Sequence, residues 1–341
     1  MTNPVLIEVT RGTTVESRHR GTFALVDGAG RVVASAGDID APVFPRSAVK
    51  ALQALPLVEN GWADRYGLAP AELALACASH SGEAIHTETA LGTLRKLGLD
   101  EAALECGAHW PTARTAAAAL IRDDRAPSAL HNNCSGKHAG FLCLACGLKA
   151  EPRGYVGREH RVQRTVKDAL VAAYGHDLDE ATSGTDGCSI PTYAVPLRHL
   201  ARAFARFGSG EAWPRERAAA AARLRSAVAA YPLLVAGTGR LDTDLMAHFG
   251  ERVFTKTGAE GVFCAALPER GWGLALKCDD GATRASEAIL LHLLEAAIAW
   301  TPDDRAALAT RHDPVMRNWN GIEVGRLRPT EAIGAALAGV A

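Results

Sequence analysis

Over the first 35 residues, short β-prone runs alternate with polar, glycine-bearing breaks. The runs fall at 5–9, 16–19, 22–26 and 31–35, and the breaks are Arg11-Gly12, Arg20-Gly21 and Asp27-Gly28-Ala29-Gly30. Glycine beside a polar residue between such runs is a turn signal, so the pattern predicts a meander of antiparallel strands. From Arg46 the period lengthens. Residues 47–58 are rich in Ala and Leu at helical spacing and stop at Asn60-Gly61. Residues 70–77, 85–97, 136–149, 160–174, 191–207, 216–231 and 241–249 read as helices on the same grounds. Strand character returns at 253–256, 261–267 and 272–277. A long helix follows at 282–300, and 322–327 reads as a last strand.

Strands therefore gather at the two ends and helices in the middle, which favours an α+β fold over a wound α/β one. The expected architecture is a single unit, 1–341, with two sub-lobes. One, 1–45 plus 250–341, holds an antiparallel sheet built from N- and C-terminal strands and flanked by helices. The other, 46–249, is mainly helical and carries the loops with candidate chemistry. There is no internal repeat, and the Ala-rich stretches 116–119 and 218–222 read as helix, for which Ala has the best propensity.

Composition narrows the function classes. Hydrophobic residues make up 48% and charged residues 22%, an ordinary globular balance. A net charge of −1 gives no reason to expect nucleic acid or an anionic membrane as partner. No apolar run reaches about 18 residues, so no transmembrane helix is expected. Residues 1–10 lack a basic segment followed by an apolar one, so a cytoplasmic location is expected. The eight cysteines are then expected as thiols.

Five segments carry candidate chemistry. In Phe44-Pro45-Arg46-Ser47-Ala48-Val49-Lys50, Ser47 opens a helical run and Lys50 follows three residues on, on the same helical face. A serine hydroxyl needs a neighbouring base to attack, and a neutral lysine can be that base. Free N–H groups at a helix start can hold a developing oxyanion. The bland alternative is an N-cap serine with a solvated lysine. Lys256-Thr257-Gly258 ends a short strand, and S-x-x-K followed by K-T-G is the order found in serine β-lactamases and penicillin-binding proteins. A second ammonium near Lys50 would favour the neutral form. Cys77-Ala78-Ser79-His80-Ser81-Gly82-Glu83 supplies a hydroxyl that could relay protons, or simply a helix cap, and no S-D-N follows it.

His131-Asn132-Asn133-Cys134-Ser135-Gly136-Lys137-His138 and Gly184-Thr185-Asp186-Gly187-Cys188 each place a cysteine in a polar loop, read as lying just before a helix. Cysteines so placed can be thiolates and bind a soft metal, or be buried thiols in tight turns. Cys143-x-x-Cys146 sits in an apolar run and reads as a core helix face, and Cys77, Cys106, Cys264 and Cys278 as core thiols.

Together these motifs resemble one family, the L-asparaginase II family of the thermolabile, rhizobial type. The resemblance implies a serine β-lactamase- or glutaminase-like fold and hydrolysis of L-asparagine to L-aspartate and ammonia. It implies two Ser–Lys tandems: Ser47 with Lys50, where Ser47 attacks and forms an acyl-enzyme, and Ser79 with Lys256, which relay protons. It implies a zinc ion held by Cys134, Lys137 and Cys188 that assists substrate binding. Arg46, His80, Asn132, His138 and Asp186 are the expected substrate contacts, and the assembly is expected to be a homodimer.

Overall fold

A computed structural model describes residues 2–340. The chain forms two compact units. The sheet unit comprises residues 2–48, Val195–Ser209 and 255–340, and the helical unit Val49–Ala194 and Gly210–Phe254.

The sheet unit is built on eight strands: β1 Val5–Arg11, β2 Thr14–Asp27, β3 Val32–Ala36, β4 Phe254–Gly258, β5 Val262–Leu267, β6 Trp272–Cys278, β7 Val315–Arg317 and β8 Glu323–Pro329. Their order is β7-β8-β1-β2-β6-β5-β4, with β3 also on β2. The registered pairs β1–β2, β1–β8, β2–β3, β2–β6, β5–β6 and β7–β8 are all antiparallel. N- and C-terminal strands thus share one antiparallel sheet, as the α+β pattern predicts.

The turn expected at Arg20-Gly21 does not form, because β2 runs straight through it. Up to Arg20 it pairs with β1, and from Gly21 it pairs with β6. Gly21 is needed for close approach rather than for a turn, since a Cβ there would lie 2.6 Å from the Lys277 carbonyl oxygen. Phe23 and Leu25 on β2, Phe263 on β5 and Leu274 and Leu276 on β6 are all fully buried or nearly so. The helix Leu197–Ser209 packs across β6, β2 and β5, and therefore belongs with the sheet rather than with the helical lobe. It also starts later than expected. Pro191–Tyr193 and Val195–Pro196 are strands. Two prolines without N–H donors, with β-branched and aromatic neighbours, favour extended chain there.

In the helical unit, helix Ser135–Leu148 is almost wholly buried and packs against helices Pro70–Ala76 and Ala84–Lys96. The single helix expected over 47–58 is instead a 3-10 turn, Arg46–Val49, followed by short helices Lys50–Gln53 and Leu55–Glu59. Pro56 explains the break, since its ring and missing N–H disallow continuation onto the preceding turn. Among the described residues no helix is long and apolar enough to cross a membrane.

Candidate active site

The helical unit brings Lys50 and Ser79 together. Lys50 is 1% exposed at the start of its helix. Its Nζ donates to the Ala78 carbonyl at 2.6 Å, to Ser79 Oγ at 2.9 Å and to the Asn133 carbonyl at 3.3 Å. Ser79 is held in turn by its backbone N–H, which donates to the Val235 carbonyl at 2.8 Å. Burial pulls the Lys50 pKa below its ordinary value; the Cys134 sulfur pulls the other way and the Lys137 ammonium adds to the fall. Lys137 is thus a neighbouring cation that acts on Lys50.

Cys134 is the N-cap of helix Ser135–Leu148, as expected. Cys188 is not before a helix. It sits in the tight loop joining strands Ser183–Thr185 and Pro191–Tyr193, where Asp186 and Ser189 exchange backbone bonds with Ile190 and Asp186, and Ser189 takes a left-handed φ of 75°. Both cysteines are buried and lie in hydrogen-bond contact with one another. That bond from the Cys188 thiol holds Cys134 well below the usual thiol range against the cost of burial, with the Lys137 and Lys50 ammonium groups helping. Cys188, as the donor, is pushed up. Lys137 Nζ lies 2.9 Å from Cys188 Sγ, and Asp186 Oδ2 lies 3.8 Å from it. Burial opposes the charge on Lys137, but the two sulfurs and Asp186 outweigh it and raise its pKa. Two sulfurs and one amine form a donor set of the kind that takes zinc, provided Lys137 and the Cys188 thiol shed their protons.

Two buried histidines complete this part. His80 accepts from the Gly82 N–H at Nδ1 and meets Ser135 Oγ at 2.9 Å through Nε2, so both nitrogens serve the loop. His138 Nδ1 lies 2.7 Å from the Tyr155 hydroxyl, which itself accepts from the Glu105 N–H. His138 Nε2 is buried and has no partner among the described residues. Asn132 donates to the Cys106 and Gly107 carbonyls and accepts from the Cys134 N–H. Its amide thereby ties down the loop that presents Cys134. Ser135 lies within the motif quoted above without a role of its own, and Tyr155, isolated in the sequence, gives no local signal.

The sheet unit holds Arg46, Ser47 and Lys256. Arg46 has a left-handed φ of 52°, uncommon for a residue with a side chain. Ser47 follows in the 3-10 turn, closed by the Ala48 N–H on the Pro45 carbonyl at 3.1 Å. Lys256 is fully buried and donates to the Thr257 carbonyl at 2.8 Å. Gly258, at the end of β4, lies against the same turn: a Cβ there would be 2.7 Å from the Pro45 oxygen and 3.2 Å from the Ala48 nitrogen. The K-T-G glycine lets β4 approach the loop bearing Ser47. All eight cysteines are free, and burial pushes Cys143 up to about 12.

A match to the family described as L-asparaginase II covers residues 7–329. The chain belongs to the L-asparaginase II family. No curated protein sequence matches it. Among solved structures it is similar to Mglu in its native form, with 16% identity over 83% of this chain and 66% of that one and a TM-score of 0.42. It is similar to Mglu in its L-glutamate binding form in 4.3 M NaCl, at 17% over 87% and 63% and a TM-score of 0.46. A β-lactamase from Mycobacterium bovis gives 15% over 86% and 95% and a TM-score of 0.38. The chain spans just under two thirds of these two Mglu chains.

Proposed function

We propose that this protein is an amidohydrolase that converts L-asparagine to L-aspartate and ammonia through a serine acyl-enzyme with lysine as base. The observation that carries the reading is the buried Lys50 amine 2.9 Å from the Ser79 hydroxyl in a chain of this family. Ser47 is proposed as the attacking group because it stands three residues before Lys50 at a helix start. Lys50 takes the proton, and Ser79 passes it on toward the departing ammonia. Lys256 is proposed to balance charge. Water then releases aspartate from the ester.

Substrate contacts are proposed for Arg46, whose cation suits the α-carboxylate, for Asp186, whose carboxylate suits the α-ammonium, and for the unpartnered Nε2 of His138. His80 and Asn132 act by holding the loops in place. Cys134, Lys137 and Cys188 are proposed to hold zinc, which when bound would supply a fixed positive charge for substrate binding. With the ion present, Lys137 would ligate as the neutral amine.

The test is ammonia release from L-asparagine, L-glutamine and a β-lactam in parallel, with and without added zinc. The reading predicts turnover of L-asparagine well above the other two. Turnover of glutamine or the β-lactam alone would overturn it.

A further inference from the structure

In the sheet unit, far along the chain from the residues above, helix Thr283–Ile298 presents His292 and Glu295 three residues apart, hence on one face. His312 ends the next helix, Pro302–His312. One ligand atom from each of the three can be chosen so that all lie within 4.8 Å of one another. We infer that His292, Glu295 and His312 form a second metal site, for a divalent transition ion of the zinc class, clamping these two helices.

Four observations support it. His312 Nε2 lies 2.9 Å from Glu295 Oε2, yet it is buried without an aligned hydrogen bond. Two groups that approach without pointing at each other are placed to share a third atom. The other ligand positions of Glu295 and His312 face further groups. Arg305 Nε holds Glu295 Oε1 at 2.7 Å, leaving Oε2 for an ion. Asp313 Oδ2 lies 3.4 Å from His312 Nδ1, the position of the carboxylate that usually orients a ligating imidazole. Finally, the His292 and His312 rings meet edge to face at 4.3 Å, with Trp300 at 5.3 Å from His312, so the pocket is walled by rings. Zinc at about 2.0–2.2 Å from each ligand needs ligand atoms roughly 3.4 Å apart, a change of at most about 1.4 Å from the 4.8 Å limit here. Two imidazoles and one carboxylate favour zinc-class ions over magnesium or calcium, which prefer all-oxygen shells. Three protein ligands leave a fourth position for water.

Cobalt(II) titration of the full chain, read by visible and near-ultraviolet absorption, separates this site from the sulfur-bearing one. Thiolate ligation adds a charge-transfer band, whereas a His/His/Glu site gives only visible bands. The expected result is one equivalent bound without the charge-transfer band, lost in His292→Ala and in His312→Ala. Glu295→Gln, which keeps shape, should weaken it at least tenfold. Zinc should raise the Tm of the wild type and of a Cys188→Ser variant alike, and should raise that of His292→Ala less. Unchanged metal stoichiometry in all three variants, with only Tm lowered, would make the trio an ion pair and overturn the inference.

Discussion

Lys50 and Ser79 are joined by a contact that serves both protonation states of the lysine. As an ammonium, Lys50 has three donors for Ser79 Oγ and the Ala78 and Asn133 carbonyls. As a neutral amine it keeps two donors for the carbonyls, and its lone pair faces the Ser79 hydroxyl, which then donates. The proton can cross this contact without moving a heavy atom. Lys50→Met should therefore lower kcat on the order of 10²–10⁴-fold, the range for a lost general base, while the fold survives. Ser79→Ala should lower kcat and leave KM nearly unchanged. Steady-state kinetics beside a melting curve check both; near-normal kcat in Lys50→Met would remove the lysine base.

The pH profile follows from the same lysine. Its pKa is lowered by burial and by Lys137, and held up by the Cys134 sulfur. Activity should rise with pH as Lys50 loses its proton, with the limb below the ordinary lysine value of 10.5. With zinc removed by a chelator Lys137 is an ammonium, so Lys137→Met removes a like charge, the Lys50 pKa should rise and the limb should move to higher pH. Cys134→Ser removes a negative charge, so the limb should move to lower pH. Profiles of kcat/KM from pH 6 to 10 for the three proteins test this. A flat wild-type profile, or shifts of the same sign in both variants, would contradict it.

Gly258→Ala tests the approach of β4 to the serine-bearing turn. The new methyl would sit 2.7 Å from the Pro45 oxygen and must displace the turn that carries Ser47. A misplacement near 1 Å can cost on the order of 10²-fold in rate. The expected outcome is a large fall in kcat with a small change in Tm. Wild-type kcat in this variant would show that the spacing of K-T-G from Ser47 does not matter.

Local patterns in the sequence carried much of this. Strands at both ends with helices between them implied the antiparallel sheet, and the spacing of Ser47, Lys50, Ser79 and Lys256 implied a serine and lysine chemistry. What the sequence did not carry was set by distant contacts. Ser79 is 29 residues from Lys50, and nothing in either segment's spacing pairs them. Arg20-Gly21 looks like a turn locally, but β6 offers a partner that keeps the strand extended. Cys188 looked like a helix N-terminus because the apolar run after it continues into a real helix. Two prolines delay that helix to Leu197. The His138–Tyr155 bond had no local signal at all.

Buried histidines give an acid-sensitivity prediction. Burial holds His80 and His138 well below 6.5, with nearby cations and, for His80, the stacked His86 adding to the effect. Below about pH 6.5 the unfolded chain binds protons at these positions that the folded chain does not. Stability is therefore flat above that pH on their account and falls as pH drops below it, by at most about 1.4 kcal/mol per pH unit for each histidine. Urea unfolding at pH 7.5, 6.5, 5.5 and 5.0 measures the slope. His138→Gln should flatten it. An equal slope in that variant would mean that His138 is protonated in the folded state too.

The cysteine pair separates substrate assistance from scaffolding. Cys134 caps a buried helix and Cys188 closes a short hairpin, and both loops are fastened by other bonds: Asn132 to the Cys106 and Gly107 carbonyls, and Asp186 N–H to the Ile190 carbonyl. The local fold thus has support besides the sulfurs. If zinc held there assists substrate binding, Cys188→Ser should raise KM for L-asparagine several-fold more than it lowers kcat, with Tm close to wild type. A structural zinc would give the opposite split, since losing it removes folding free energy. Parallel kinetics and melting of Cys188→Ser decide the matter: a collapse of Tm with KM unchanged would reassign the pair to the scaffold.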